Sequence, residues 1–198
     1  MIMKRGFWMA VQTRLLRQLT RDEYQAASNY GADAIFFHAH AKGRLGDYQY
    51  HAGHADFCAT AAVKFAALDS AIKQCELEGN TNLYSAHGVG VGVRGALTGD
   101  PARFVGLQYC YRGYISTSSD LQWTQRFVVP RAQGPSQTVL EFHLPAGFNA
   151  LDMNLVGHSG EFEFLLGRST VFDIVNGSLL TVPGAGPILL LTLAPAKA

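Results

Sequence analysis

Tyr111-Arg112-Gly113-Tyr114-Ile115-Ser116-Thr117-Ser118 and, further along, Gly160-Glu161-Phe162-Glu163-Phe164-Leu165-Leu166 decide how this chain is read. Taken as β-strands, they bring a hydroxyl cluster towards a pair of carboxylates. Alternation puts Glu161 and Glu163 on one face and Phe162 and Phe164 on the other, with the two carboxylate positions about 7 Å apart along the strand. A Ser/Thr run or two acids flanking one residue is ordinary on a solvated surface. Both together, in this order, suggest a site where two acids address two atoms of one substrate.

The chain from Leu83 onward keeps the strand period of two. Val89, Val91 and Val93 alternate with glycines up to Arg94, Leu107 to Ser116 gives a second strand, and Thr138 to Leu144 a third. Runs around Asn149 to Leu155, Phe162 to Leu166, Val171 to Val175, Ser178 to Val182 and Ile188 to Leu193 complete the set, with glycine and proline between them. The last run is apolar but far too short to span a bilayer, so it is expected as a buried strand.

Before Leu83 the period is helical. Thr20-Arg21-Asp22-Glu23 has the spacing of a capping box and predicts a helix from about 20 to 30, ended by Gly31. Phe57, Ala61, Phe65, Leu68, Ile72 and Cys75 recur at steps of four and three, the face of a helix about six turns long that stops at Gly79-Asn80. The stretch between, Phe36 to His54, is rich in histidine and expected to be irregular. Helices first and strands afterwards predict an α+β fold in which helices cover antiparallel or mixed sheets. No repeat or linker divides the chain, so one domain is expected over residues 1–198, helical to about 80 and sheet from about 81.

With 48% hydrophobic and 16% charged residues, the composition is that of a globular protein with a well-developed core. A formal charge of +1 offers no general attraction to nucleic acid or anionic membrane and disfavours both as partners. Cys58, Cys75 and Cys110 are odd in number and share no close spacing, which argues against a disulfide framework or a CxxC metal site and for a reducing workplace. Phe7 to Val11 is shorter than a secretory core and runs into Arg14 and Arg17, so no cleavable signal is expected. The protein is expected to be cytoplasmic, or to reach a target cell without such a signal.

In these motifs the sequence resembles the mono-ADP-ribosyltransferases of the Arg-Ser-Glu class, the cholera-toxin-like family of many bacterial toxins, effectors and phage enzymes that attach ADP-ribose from NAD to a target. Val93-Arg94-Gly95 resembles the first-strand arginine, Gly113 to Ser118 the aromatic-x-Ser-Thr-Ser strand, and Glu161 to Leu166 the Glu-x-Glu strand. Leu19 to Tyr24 with Tyr30 looks like the family's first helix, and Leu140 to Gly147 like the strand and turn before the catalytic loop. The resemblance covers about residues 19 to 193, and it implies N-terminal helices packed on a two-sheet β-sandwich core with a central NAD cleft.

It also implies roles. The nicotinamide-ribose bond breaks with oxocarbenium character, and Glu163 would stabilise the cation. Ser116 would orient Glu163 and line the cofactor pocket, while Thr117 and Ser118 would shape the strand beside the cofactor. Arg94, with Gly95, is the choice for the diphosphate, whose oxygens suit the planar guanidinium fork. Arg112 is the second choice. A third alignment puts Ser85 of Asn82-Leu83-Tyr84-Ser85-Ala86 in the arginine slot; His87-Gly88 echoes the His-Gly of the diphtheria-toxin-like class, but the Ser-Thr-Ser strand argues against that class. Glu161 would activate an arginine acceptor, whose high pKa calls for a second carboxylate; the alternatives are a non-arginine or nucleic-acid acceptor, or an inactive member that uses the same fold as a binding module. The segment Ser119 to Phe127 would form a loop over the cofactor, with Trp123 or Phe127 stacking on the nicotinamide. Expected partners are NAD and a protein presenting arginine, with a neutralising immunity protein or chaperone as a further one. His38, His40, His51 and His54 are numerous enough for zinc, but no recognised spacing completes a site, and they are expected as solvated loop residues with no metal.

Overall fold

A computed structural model describes residues 11–88, 100–128, 137–157, 162–182 and 186–197. The chain enters through a short strand β1 (Thr13–Leu15) and then forms α1 (Arg21–Ser28), α2 (Tyr30–Ala41) and α3 (His54–Lys73). The capping box is present: the Glu23 amide donates to Thr20 Oγ1 and the Thr20 amide donates to the Glu23 carboxylate at 2.7 Å. Gly31 does not end the helical region. Asn29 closes α1 and opens α2, so Gly31 sits in the first turn of α2, where a glycine needs no unusual backbone angle. The histidine-rich stretch expected to be irregular is therefore helical as far as Ala41, with Tyr30, Phe36, Phe37 and Ala39 buried.

The long helix α3 stops at Lys73, before the expected Gly79-Asn80. Cys75 and Leu77 are buried with period two, in a strand β2 (Cys75–Leu77) that pairs antiparallel with β1. Cys75 continues the helical spacing from Ile72 as well, so sequence spacing did not separate the two.

The remaining strands are β3 (Thr81–Gly88), β4 (Gln108–Cys110) and β5 (Ile115–Ser118), then, after the five-residue helix α4 (Leu121–Gln125), β6 (Gln137–Leu144), β7 (Ala150–Asp152), β8 (Glu163–Leu166), β9 (Val171–Val182) and β10 (Gly186–Pro195). They form one eight-stranded sheet in the order β4-β9-β10-β6-β3-β5-β8-β7, with β10 and β6 parallel and the other neighbours antiparallel. The α+β class is borne out. The two expected sheets are the halves of this sheet, joined where β3 meets β5 at one residue pair, Tyr84 and Ser118. Ile115, Phe164 and Leu166 of one half share an apolar cluster with Leu83, Phe142, Phe172 and Leu191 of the other. On the outer face of the smaller half, Tyr114, Leu151 and Leu165 pack with Phe37, Phe57, Phe65 and Leu68 of the helices. Among the described residues no helix is long and apolar enough to cross a membrane.

Three other strand boundaries differ from expectation. The run around Asn149 to Leu155 is a strand only as far as Asp152 and turns as a 3-10 helix over Met153–Val156, where the Asp152 carboxylate caps the Asn154 amide. Leu107 to Ser116 is two strands in different halves of the sheet: β4 pairs with β9, the chain crosses over at Tyr111 to Tyr114, and β5 pairs with β8. Asn176-Gly177 does not divide β9. A Cβ on Gly177 would lie 2.4 Å from the carbonyl oxygen of Pro101, so the glycine marks a close backbone approach inside a continuous strand.

Candidate active site

Strand β5 lies between β3 and β8, and this placement assembles the site. Ser118 is directly opposite Glu163, and Ser116 directly opposite Leu165. Residues paired across an antiparallel ladder share a face, so Tyr114, Ser116, Ser118 and Glu163 all lie on the side of β5 and β8 that carries the helices. Glu163 reaches diagonally along this face and accepts a hydrogen bond from Ser116 Oγ. Ser116 is exposed and Glu163 partly so, which leaves the pair open to a substrate.

Thr117 points to the other face. It is buried, and its hydroxyl donates to the carbonyl of Phe164 at 2.7 Å. It ties β5 to β8 in register and lies on the face opposite the surface that Ser116 occupies. Ser118 is also buried; its Oγ accepts from the Asp120 amide at 3.1 Å and so shapes the turn into α4.

That turn leads not into an open loop but into α4, whose first amides are capped by the Asp120 carboxylate. Trp123 is partly buried, with the Arg126 guanidinium 4.6 Å over its ring and Phe127 edge-on at 6.3 Å. Phe127 is 57% exposed, so the two rings and the arginine form a small surface platform next to β5. Arg112 is exposed in the crossover before β5. Ser85 stands in β3, buried, its hydroxyl donating to the Ser116 carbonyl at 2.7 Å, so it supports the backbone of the serine that meets Glu163. Arg94, Gly95 and Glu161 lie outside the described residues, as does the valine run 89–93.

The supports of β5 come from α3. Tyr114, wholly buried, donates to Asp69 at 2.8 Å, and Arg168 grips the same carboxylate with three contacts of 2.6 to 3.0 Å while stacking on Phe65. Burial, then the hydrogen bond to Asp69, raises the Tyr114 pKa far above the ordinary phenol value, so this phenol is a fixed donor. A groove of about 600 Å³ lined by Asp69, Lys73, Phe148 and Arg168 opens beside this support, at the far end of β8 from Glu163.

A second polar cluster, marked by no sequence motif, lies on the helical side. His38 lies between two buried phenols, with Nδ1 2.8 Å from Tyr111 Oη and Nε2 3.4 Å from Tyr30 Oη. The expectation of a solvated loop histidine does not hold for it. The signal was available in the helical spacing of Tyr30, Phe37 and His38, hidden by the assumption that Gly31 stops the helix. The other histidines go separate ways: His40 packs on Phe65, His51 on Tyr48, and His54 meets the Leu45 carbonyl. Among the described residues no three metal-ligating side chains converge.

No protein-family model and no curated protein matches the sequence. Among solved structures the chain is similar to Plx2a, an ADP-ribosyltransferase toxin from Paenibacillus larvae, at 20% identity and a TM-score of 0.65 over 90% of this chain and 88% of that one. It is similar to BECa, the ADP-ribosylating toxin of a binary enterotoxin of C. perfringens solved with NADH, at 17% identity and a TM-score of 0.67 over 91% of this chain and 45% of that one. It is also similar to the ADP-ribosyltransferase Vis in complex with agmatine, at 17% identity and a TM-score of 0.59 over 93% of this chain and 78% of that one. At such identities the likeness is one of fold, and by that measure the chain folds as the ADP-ribosyltransferase toxins do.

Proposed function

We propose that this protein is an NAD-dependent mono-ADP-ribosyltransferase that modifies arginine on a target protein, with hydrolysis of NAD as its side reaction. The observation that carries this reading is the hydrogen bond from Ser116 to Glu163 across neighbouring strands, on an accessible face of a fold shared with ADP-ribosylating toxins.

NAD supplies an ADP-ribosyl group whose bond to nicotinamide breaks to leave positive charge on the ribose. Glu163 stabilises that charge with its carboxylate, which Ser116 holds in one rotamer by donating to it. The carboxylate is in place before the reaction, so no reorganisation is needed when the charge develops. Glu161, two residues earlier, takes a proton from the attacking guanidinium nitrogen. That BECa was solved with NADH and Vis with agmatine, a guanidinium compound, supports a nicotinamide dinucleotide as donor and a guanidinium as acceptor. Ser85 is committed to the Ser116 carbonyl and carries no charge, so the diphosphate calls for Arg94, with Gly95, or Arg112. Trp123 and Phe127 offer an aromatic surface for nicotinamide.

The test is release of nicotinamide from labelled NAD, with agmatine or a cell extract as acceptor. Glu163→Gln is expected to lower turnover by about 100-fold or more. Glu161→Gln is expected to lose transfer to agmatine while keeping hydrolysis, and NAD affinity should fall in Arg94→Ala or Arg112→Ala, whichever arginine holds the diphosphate. A wild-type protein that binds NAD but releases no nicotinamide and labels no acceptor would sink the proposal.

A further inference from the structure

His38, Tyr30 and Tyr111 have no part in the chemistry above, yet they meet one another beside Tyr114, two residues before Ser116. Tyr111 reaches His38 because its ring folds back over Gly113: a Cβ there would lie 2.8 Å from the Tyr111 ring and 3.1 Å from Ala41 Cβ of α2. Tyr30 sets its ring against Tyr114 at nearly a right angle, 6.1 Å between centroids. Tyr114 is two residues before Ser116 and on the same side of the sheet, so Tyr30 packs against the residue one strand repeat, roughly 7 Å, from Ser116. Burial, and after it the charge of Glu163, hold the Tyr30 phenol above its ordinary pKa, which keeps it protonated.

A neutral imidazole has one N–H and one bare nitrogen, so it cannot treat two phenols alike. One phenol must give its proton to the ring; the other accepts from the ring and keeps its own O–H for a third group. Burial, with the Lys42 ammonium one helical turn away, pulls the His38 pKa below its ordinary value and keeps the ring neutral. The short 2.8 Å contact suits donation by Tyr111 to Nδ1, which assigns the ring proton to Nε2, facing Tyr30. Tyr30 then keeps its own proton to donate, and the Glu163 charge is near enough to act on this phenol.

We propose that His38 is a positioning residue which, locked by Tyr111, aims the Tyr30 hydroxyl as a hydrogen-bond donor at the NAD that Glu163 and Ser116 address. This rests on the ADP-ribosyltransferase reading. The donor would suit a ribose hydroxyl or the carboxamide oxygen of NAD, both of which accept hydrogen bonds.

Steady-state nicotinamide release separates this role from simple packing. His38→Phe, Tyr30→Phe and Gly113→Ala are each expected to lower kcat/KM for NAD by about ten- to hundred-fold. His38→Gln, whose amide offers one donor and one acceptor, should recover most of the loss, and the double variant of His38→Phe with Tyr30→Phe should be no worse than either single one. Tyr30→Phe keeps the ring and its packing, so it carries the test even where His38→Phe fails to fold. An active wild type with Tyr30→Phe within two-fold of it overturns the inference alone, as does His38→Gln impaired as deeply as a folded His38→Phe. A wild type that releases no nicotinamide overturns the transferase reading, and this role with it.

Discussion

A single carboxylate shows how a sequence motif acquires weight from its surroundings. Glu23 was read as one half of a capping box, and it is that, but the fold also buries it beneath Arg17 and Ser70. Arg17 donates to both carboxylate oxygens at 2.8 and 2.6 Å, and Ser70 of α3 donates at 2.6 Å. The Arg17 hydrogen bonds are the largest cause of a pKa lowered to about 2, against the desolvation that would raise it. A carboxyl whose pKa is lower folded than unfolded adds stability that is fully present above its unfolded pKa, near 4.5, and is lost as pH falls towards 2. Allowing for the half-exposed Arg17, the contribution is about 2–3 kcal/mol at neutral pH. Glu23→Gln should therefore lower Tm at pH 7 and flatten its fall between pH 4.5 and 2; parallel wild-type and variant curves across that window would refute it. The same contrast divides the candidate site. Ser116 and Glu163 were legible because strand alternation and order place them. His38 was not, because its partners lie 8 and 73 residues away along the chain and only the packing of α2 against the crossover unites them.

Elements were legible where one signal dominated and obscure where a glycine carried two meanings. Thr20 to Glu23 fixed the start of α1, and the steps from Phe57 to Ile72 fixed α3, because capping and apolar spacing are local. Gly31 and Gly177 both read as breaks in the sequence, and neither is one. Gly31 lies in a first turn. Gly177 lies in a strand that pairs with β10 on one side and is crossed by the 3-10 turn Pro101–Phe104 on its face. A Cβ at Gly177 would come within 2.4 Å of the Pro101 carbonyl oxygen and 2.9 Å of its carbon, which are backbone atoms that cannot rotate away. Gly177→Ala is therefore expected to cost about 1–3 kcal/mol by forcing that turn off the sheet, although alanine is otherwise the better strand residue. Urea denaturation measures it, and a variant as stable as wild type would show that the turn moves freely.

At the scale of the whole molecule, what joins the two halves of the sheet is less the backbone than the core. Between β3 and β6 eight residue pairs are in register; between β3 and β5 there is one. The sequence could not reveal this, since the strand periods on both sides of the junction are alike and the crossover at Arg112-Gly113 looked like the middle of one strand. Phe164 of β8 sits in the apolar cluster with Phe142 and Phe172 of the larger half, while Glu163, its neighbour, faces the opposite side. If the shared cluster is the true joint, the chain unfolds as one unit in spite of the single bridge. Phe164→Ala would then cost about 3–5 kcal/mol, the usual loss for a buried ring. The loss should appear equally in the slowest-exchanging amides of β6, β9 and β10, which Phe164 does not pair with, and in those of β5 and β8. Exchange that quickens only in β5, β7 and β8 would instead mean that the half carrying Ser116 and Glu163 opens by itself, and that the single-domain reading of the sequence is wrong.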